Sequence, residues 1–159
     1  MDKLREKLDA CSLPAALEAV GERWSFLILR AAFNGLRHFE EFQSALGIAR
    51  NILSDRLARL VRHGIMGRAA LADDRRKIEY RLTPKGEALL PTMVALRQWG
   101  ERWETGVPAF PALVDRNELR PIQPVAVLAQ DGRVLQLHDL HWALPGEMAR
   151  DAGEAIAAE

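Results

Sequence analysis

Between Gly47 and Gly64 the chain reads GIARNILSDRLARLVRHG, and its apolar positions fall at helical spacing. On a wheel of about 3.6 residues per turn, Ile52, Leu53, Leu57, Leu60 and Val61 share one broad face. Asn51, Asp55, Ala58 and Arg62 take the opposite stripe, Ser54 and Arg59 flank it, and Arg50 stands at the open N-terminal end. The pattern predicts a helix with one side for a core and another left for solvent or a partner. Upstream, Ser12 and Pro14 mark a helix start, and PAALEAVG ends near Gly21. Trp24, Leu27, Ile28 and Phe33 outline a second, heavily buried helix that stops at Asn34-Gly35. A third, RHFEEFQSAL, turns Phe39, Phe42 and Leu46 inward, and Gly47 breaks it. Two short helices joined by a tight glycine-containing turn form a helix-turn-helix pattern.

After Gly64 the period changes to two. IMGRAALA and KIEYRLT read as strands, with Ile78, Tyr80 and Leu82 alternating against Glu79, Arg81 and Thr83. ADDRRK between them forms a charged hairpin tip. Thr83 and Pro84 then supply an N-cap and a first-turn proline for a long helix, PKGEALLPTMVALRQWGERWE, in which Pro91 should cause a bend or shift the start. The expected fold is mainly α with a small β-hairpin wing: a winged helix-turn-helix followed by a C-terminal β-hairpin appendage. The appendage, PVAVLAQDGRVLQLHDL, should turn at Asp131-Gly132, and RDAGEAIAAE is a weak helix or a frayed tail.

A chain of 159 residues has material for one compact domain with a small addition. Composition places the division at residue 107, since Pro108, Pro111, Pro121 and Pro124 follow closely. Residues 1–106 are read as the winged-helix domain and 107–159 as the Pro-rich, β-hairpin-containing appendage. For the appendage three roles stay open: an effector pocket, a dimerisation arm, or a shield for the long helix. Dimer reinforcement ranks first, because Leu113, Val125, Val127, Val134, Leu135 and Leu137 are more apolar area than so short a piece can bury alone.

Lys plus Arg equal Asp plus Glu at 22 each, so total charge says nothing about a polyanionic partner. Distribution does: residues 1–106 hold 18 basic and 14 acidic side chains, and residues 107–159 hold 4 and 8. Within Arg50 to Arg81 nine basic residues face four acidic ones, the local footprint that steers a polyanion to one face. The N-terminus lacks a secretory apolar core, and no apolar run approaches the roughly 20 residues that span a bilayer. One cysteine, Cys11, excludes an intramolecular disulfide and fits a cytoplasmic setting.

Arginine pairs with guanine and asparagine with adenine in the major groove, which makes Arg50 and Asn51 candidate base readers. Ser54, Arg59 and Arg37 suit phosphate oxygens, and His38 beside Arg37 is a further candidate DNA contact. Asp55 is either a cytosine reader or an orienting partner for a neighbouring arginine, and Arg56 is as suited to an intraprotein ion pair as to DNA. Arg75, Arg76 and Lys77 form a three-charge wing tip, or simply a solubilised hairpin that resists edge pairing. His138 and His141 lack a second cluster that would complete a metal site. No phosphate loop, nucleophile elbow or paired carboxylates point to an enzyme, and no cofactor is implied. Trp24, Trp99, Trp103 and Trp142 are first of all core and interface rather than pocket lining.

The order and spacing of Cys11, GERWSFLILRAAFNG, RHFEEFQ, LSDRLARLVRHGIMGR and IEYRLTPKGEALLP resemble the HxlR-type branch of winged-helix transcriptional regulators, relatives of the MarR type. The resemblance runs from about Cys11 to Trp103. It implies a homodimer, built on the N-terminal helix and on Leu89, Met93, Leu96, Trp99 and Trp103 of the long helix, acting on a pseudo-palindromic double-stranded operator, as a repressor released by a small-molecule or redox signal. Cys11 is the candidate redox-sensing thiol. Such proteins usually carry a serine where this chain has Ala49, and the DDRRK wing is more MarR-like than proline-rich. The alternative is a winged-helix protein-interaction module without specific DNA binding.

Overall fold

The computed structural model describes residues 11–70 and 77–143. The chain divides into two compact units, Met1–Leu113 and Val114–Glu159. In the first, α1 (Leu13–Val20) starts with Pro14 in its first turn and ends where the Gly21 amide bonds the Leu17 carbonyl at 2.7 Å. α2 (Arg23–Phe33) is capped by Asn34, whose side chain donates to the Arg30 carbonyl at 2.7 Å. α3 (Phe39–Leu46) closes on Gly47 in the left-handed conformation at φ 59, where a side chain is costly. α4 (Arg50–Arg62) follows after three residues and is the second helix of the helix-turn-helix.

The core is what the apolar spacing selects. Ile28, Leu29, Phe42, Leu53, Leu57 and Leu60 are 0% exposed, with Ile48, Ile65 and Met66 beside them. Two expectations shift. On α2 the fully buried leucine is Leu29, and Leu27 is half-buried. Ile52 is 36% exposed, because it lies about 100° round the helix from Leu53, at the edge of the stripe.

β1 (Met66–Ala70) and β2 (Ile78–Leu82) pair antiparallel in the register Met66 to Leu82 and Ala70 to Ile78. A feature the sequence does not announce joins them to the helices: His38 bridges Glu79, and the Tyr80 amide donates to the Arg37 carbonyl at 2.8 Å. The segment between α2 and α3 thus acts as a third, very short strand at the base of the wing.

The long helix is broken rather than bent. α5 (Pro84–Glu87) is a single turn, and α6 (Leu90–Gly100) begins one residue before Pro91, so proline resets the start as its ring requires. A π-helical turn over Glu101–Thr105 ends at Gly106. Gly86 of α5 lies buried against the Ile65 carbonyl.

The second unit has little regular structure among its described residues. The Asp131-Gly132 turn forms, with Gly132 at φ 85 and the Ala129 amide bonded to the Arg133 carbonyl at 2.8 Å. Its ladder amounts to one bridge, Leu128 to Val134, and the chain leaves it for a 3-10 turn at Leu137–Asp139. The expected hairpin is therefore shorter than PVAVLAQDGRVLQLHDL suggests. A second bridge, Val114 to Pro121, was not foreseen. The RDAGEAIAAE tail lies outside the described residues.

Candidate nucleic-acid interface

Burial of Leu53, Leu57 and Leu60 fixes the roll of α4 and leaves Arg50, Asn51, Ser54, Asp55, Ala58 and Arg62 exposed on its other side. Arg50 is not loose: its guanidinium carbon lies 4.9 Å from the centroid of the Phe39 ring, a cation-π contact that holds the first side chain of α4 over the first residue of α3. Ala49 occupies the N-cap and offers no side-chain acceptor to the first turn. Replacing it with serine supplies that acceptor, and Ala49→Ser is expected to raise unfolding free energy by about 0.5–2 kcal/mol in urea titration. Unchanged stability would mean that those N–H groups already have partners.

The inner flank of α4 is committed to the protein. Arg56 pairs with Glu22 and, at 2.7 Å, with Asp55, so Asp55 orients an arginine and Arg56 is an intraprotein partner. Arg59, a candidate for phosphate, is held within the protein. Its Nε donates to the Glu18 carbonyl at 3.1 Å, Nη2 donates to the same carbonyl and to the Glu18 carboxylate, and Nη1 lies 3.6 Å from Glu22. Its position beside the buried stripe brings it to the end of α1 rather than to open solvent.

At the base of the wing Arg37 is half-exposed, and its Nη1 donates to Glu79 at 3.2 Å. Glu79, at a position that alternation marks as outward, is buried, and Arg81 also donates to it at 2.8 Å. These guanidiniums, Arg81 foremost and Arg37 after it, hold the Glu79 carboxyl below the usual carboxylate range against the opposing effect of burial. His38 is the N-cap of α3, and its Nδ1–H donates to the Ile78 carbonyl at 3.1 Å, which ties helix to wing. Glu41 accepts from the backbone amides of Arg37 at 2.8 Å and His38 at 2.9 Å, which lowers its pKa too.

Both carboxylates have folded pKa values below the ordinary 4.5. The stabilisation they give is therefore complete above about 4.5 and is lost as pH falls through the folded values. Melting temperature should drop on acidification below that point, and less steeply in Glu41→Gln; identical profiles for the two proteins would remove Glu41 from the account.

Of the wing tip, Lys77 is exposed, while Arg75 and Arg76 lie outside the described residues. Cys11 is exposed two residues before α1. In the expected dimer set, Leu89 and Met93 pack against the chain's own core, whereas Leu96, Trp99 and Trp103 are 50%, 51% and 64% exposed. Leu13 and Leu17 on α1 are exposed as well. An open cleft of about 440 Å³ is lined by Phe33, Leu36, Arg37, Tyr80 and Arg81, with no tryptophan in its wall. Among the described residues no group of three or more His, Cys, Asp or Glu is placed to hold a metal ion, and no helix is long and apolar enough to cross a membrane.

A helix-turn-helix backed by a two-stranded wing, with a polar outer face on its second helix, defines the winged helix-turn-helix class. The chain belongs to the HxlR-like helix-turn-helix family, whose pattern matches residues 19–107. It is 44% identical over 100 residues to an HTH-type transcriptional regulator of Mycobacterium tuberculosis, covering 63% of each chain. A Bacillus subtilis relative, the HTH-type transcriptional regulator YvaP, is 34% identical over 89 residues, 55% of this chain and 82% of its own. The match thus spans under two thirds of the mycobacterial relative. Among solved structures, PA1607, a candidate transcription factor, is 41% identical with a TM-score of 0.79, covering 87% of this chain and 98% of that one. That likeness extends past residue 107. The redox regulator HypR in its oxidized form is 28% identical with a TM-score of 0.53, over 58% of this chain and 96% of its own.

Proposed function

We propose that the protein is a sequence-specific DNA-binding transcriptional regulator, acting as a homodimeric repressor on a pseudo-palindromic operator. The observation that carries the reading is α4: its core side is locked by three fully buried leucines, and its outer face presents Arg50, Asn51, Ser54 and Arg62. Arg50 and Asn51 read base edges, Ser54 and Arg37 meet phosphate, and the wing residues Arg75, Arg76 and Lys77 grip the adjoining backbone. Exposed Leu96, Trp99 and Trp103 with Leu13 and Leu17 supply the dimer contact. Cys11 serves as the redox-responsive thiol, a role supported by its exposure and by the likeness to HypR. Residues 107–159 reinforce the dimer.

The test is binding to a fluorescent duplex carrying the region upstream of the protein's own gene, against random duplex, across a salt series. The expected result is two chains per duplex, preference for the upstream sequence, and an affinity that falls with salt by a log-log slope of about 0.9 per phosphate neutralised. Absence of binding at low salt would turn the reading to a protein-interaction module.

A further inference from the structure

Five charged side chains that the proposed DNA contacts do not use, Glu18, Glu22, Asp55, Arg56 and Arg59, lie together where α1 meets α4. The Glu18 carbonyl is among the last in α1, and its natural donor, the Glu22 amide, bonds the Val20 carbonyl instead at 2.8 Å. Arg59 takes the vacated acceptor with both Nε and Nη2 and adds the Glu18 carboxylate at 3.0 Å. It thereby caps a helix C-terminus, where the backbone dipole favours a cation. Glu22, in the turn between α1 and α2, receives Arg59 on one oxygen and Arg56 on the other. Arg56 is itself held by Asp55, and its Nε is buried with no partner, so its guanidinium is fixed by ion pairs at its tip.

On the helical wheel Arg59 sits about 40° from Asp55 and 60° from Arg62, both on the outer face. That proximity lets a change of rotamer carry its guanidinium from α1 toward the outer face. Arg56 lies on the other side of Arg59, close to Leu53, and does not share this choice.

We propose that Glu18 and Glu22 are positioning residues forming a latch, which withholds Arg59 from DNA phosphates and fixes α4 against α1; the inference rests on the DNA-binding reading above. With the latch closed, affinity depends on the base-reading end of α4. With it open, each protomer gains one sequence-blind phosphate contact, so binding strengthens on any duplex and selectivity falls. Whatever displaces α1, whose leading edge carries Cys11 and whose exposed face carries Leu13 and Leu17, acts on α4 through this cluster.

The experiment compares the parent with Glu18→Gln/Glu22→Gln, and with the same pair carrying Arg59→Gln. The charge-matched control is Glu40→Gln/Glu87→Gln, two exposed carboxylates outside the cluster. The readout is the salt slope on random duplex, which is insensitive to the fraction of active protein, together with the upstream-to-random affinity ratio. The latch predicts a slope steeper by about 0.9 for each Arg59 released, hence about 1.8 for a dimer, with the added steepness removed by Arg59→Gln. The ratio should fall several-fold. An unchanged slope in the double variant, a control that steepens equally, or steepness that survives Arg59→Gln overturns the latch. A parent that binds random and upstream duplex alike overturns the specific-operator reading, while its slopes still decide the latch.

Discussion

Arg50→Ala and Asn51→Ala are each expected to lower affinity for the specific duplex by about ten- to a hundredfold, the cost of losing one bidentate base contact of about 1–3 kcal/mol if each reads a base as proposed. Affinity for random duplex should fall far less, because phosphate contacts carry no sequence information. The two losses differ in origin. Arg50 is stacked over Phe39, so its guanidinium is presented in a restricted orientation and little freedom is lost on binding. Asn51 is simply exposed in the first turn of α4. Both are surface positions; stability should stay within about 0.5 kcal/mol of the parent for Asn51→Ala and within about 1 kcal/mol for Arg50→Ala, which also loses the contact with Phe39. Competition binding with labelled duplexes and a parallel urea titration measure the two quantities. Loss of random and specific binding in equal proportion would reassign both residues to the phosphate backbone.

Gly86→Ala is expected to be the most damaging change of a single methyl group. A β-carbon built there stands 2.2 Å from the Ile65 carbonyl oxygen and 3.1 Å from a Leu82 methyl. The obstructing atom is backbone at the entry to β1, and that same carbonyl accepts from the Thr83 amide at 3.1 Å. It cannot retreat without opening the junction between wing and α5. Forcing atoms into such a contact costs about 1–3 kcal/mol, and each kcal/mol shifts melting by roughly 2–6 °C in a unit of this size. Gly67→Ala is the control, since its β-carbon would meet the Arg81 carbonyl at 3.9 Å. Equal melting temperatures for the two variants would show that α5 moves away freely.

The helices were legible in the sequence because their signals are local. Leu53, Leu57 and Leu60 recur at helical spacing, Asn34-Gly35 and Gly47 stop their helices, and Pro91 announces the interruption of the long one. What the sequence hid depends on residues far apart along the chain. Glu79 sits at an outward position of a strand, yet it is buried because Arg37, 42 residues earlier, closes over it. Arg59 has the spacing of a phosphate ligand, and only the arrival of Glu18, 41 residues away, shows its present partner. His38 ties helix to wing through Ile78, 40 residues away, a bond that its place in the sequence does not announce. Leu89 and Met93 share a helical stripe with Leu96, yet only the first two reach the core, since the core ends before the helix does. No wheel drawn on one segment contains these facts.

The pairing of residues 37 and 38 with β2 gives the molecule a modular quality. Arg37 and Glu79 stand side by side, and so do His38 and Ile78. The chain between them leaves and returns to one point, enclosing α3, α4 and β1. Nearly all the chemistry assigned to reading DNA lies inside that loop. Grafting such a loop from a relative would have to match its cinched neck and also the core face that Phe42, Leu53, Leu57 and Leu60 share with Ile28 and Leu29 outside it. The graft has one further requirement: a donor whose α4 carries arginines at the positions of Arg56 and Arg59 needs a recipient with carboxylates at 18 and 22.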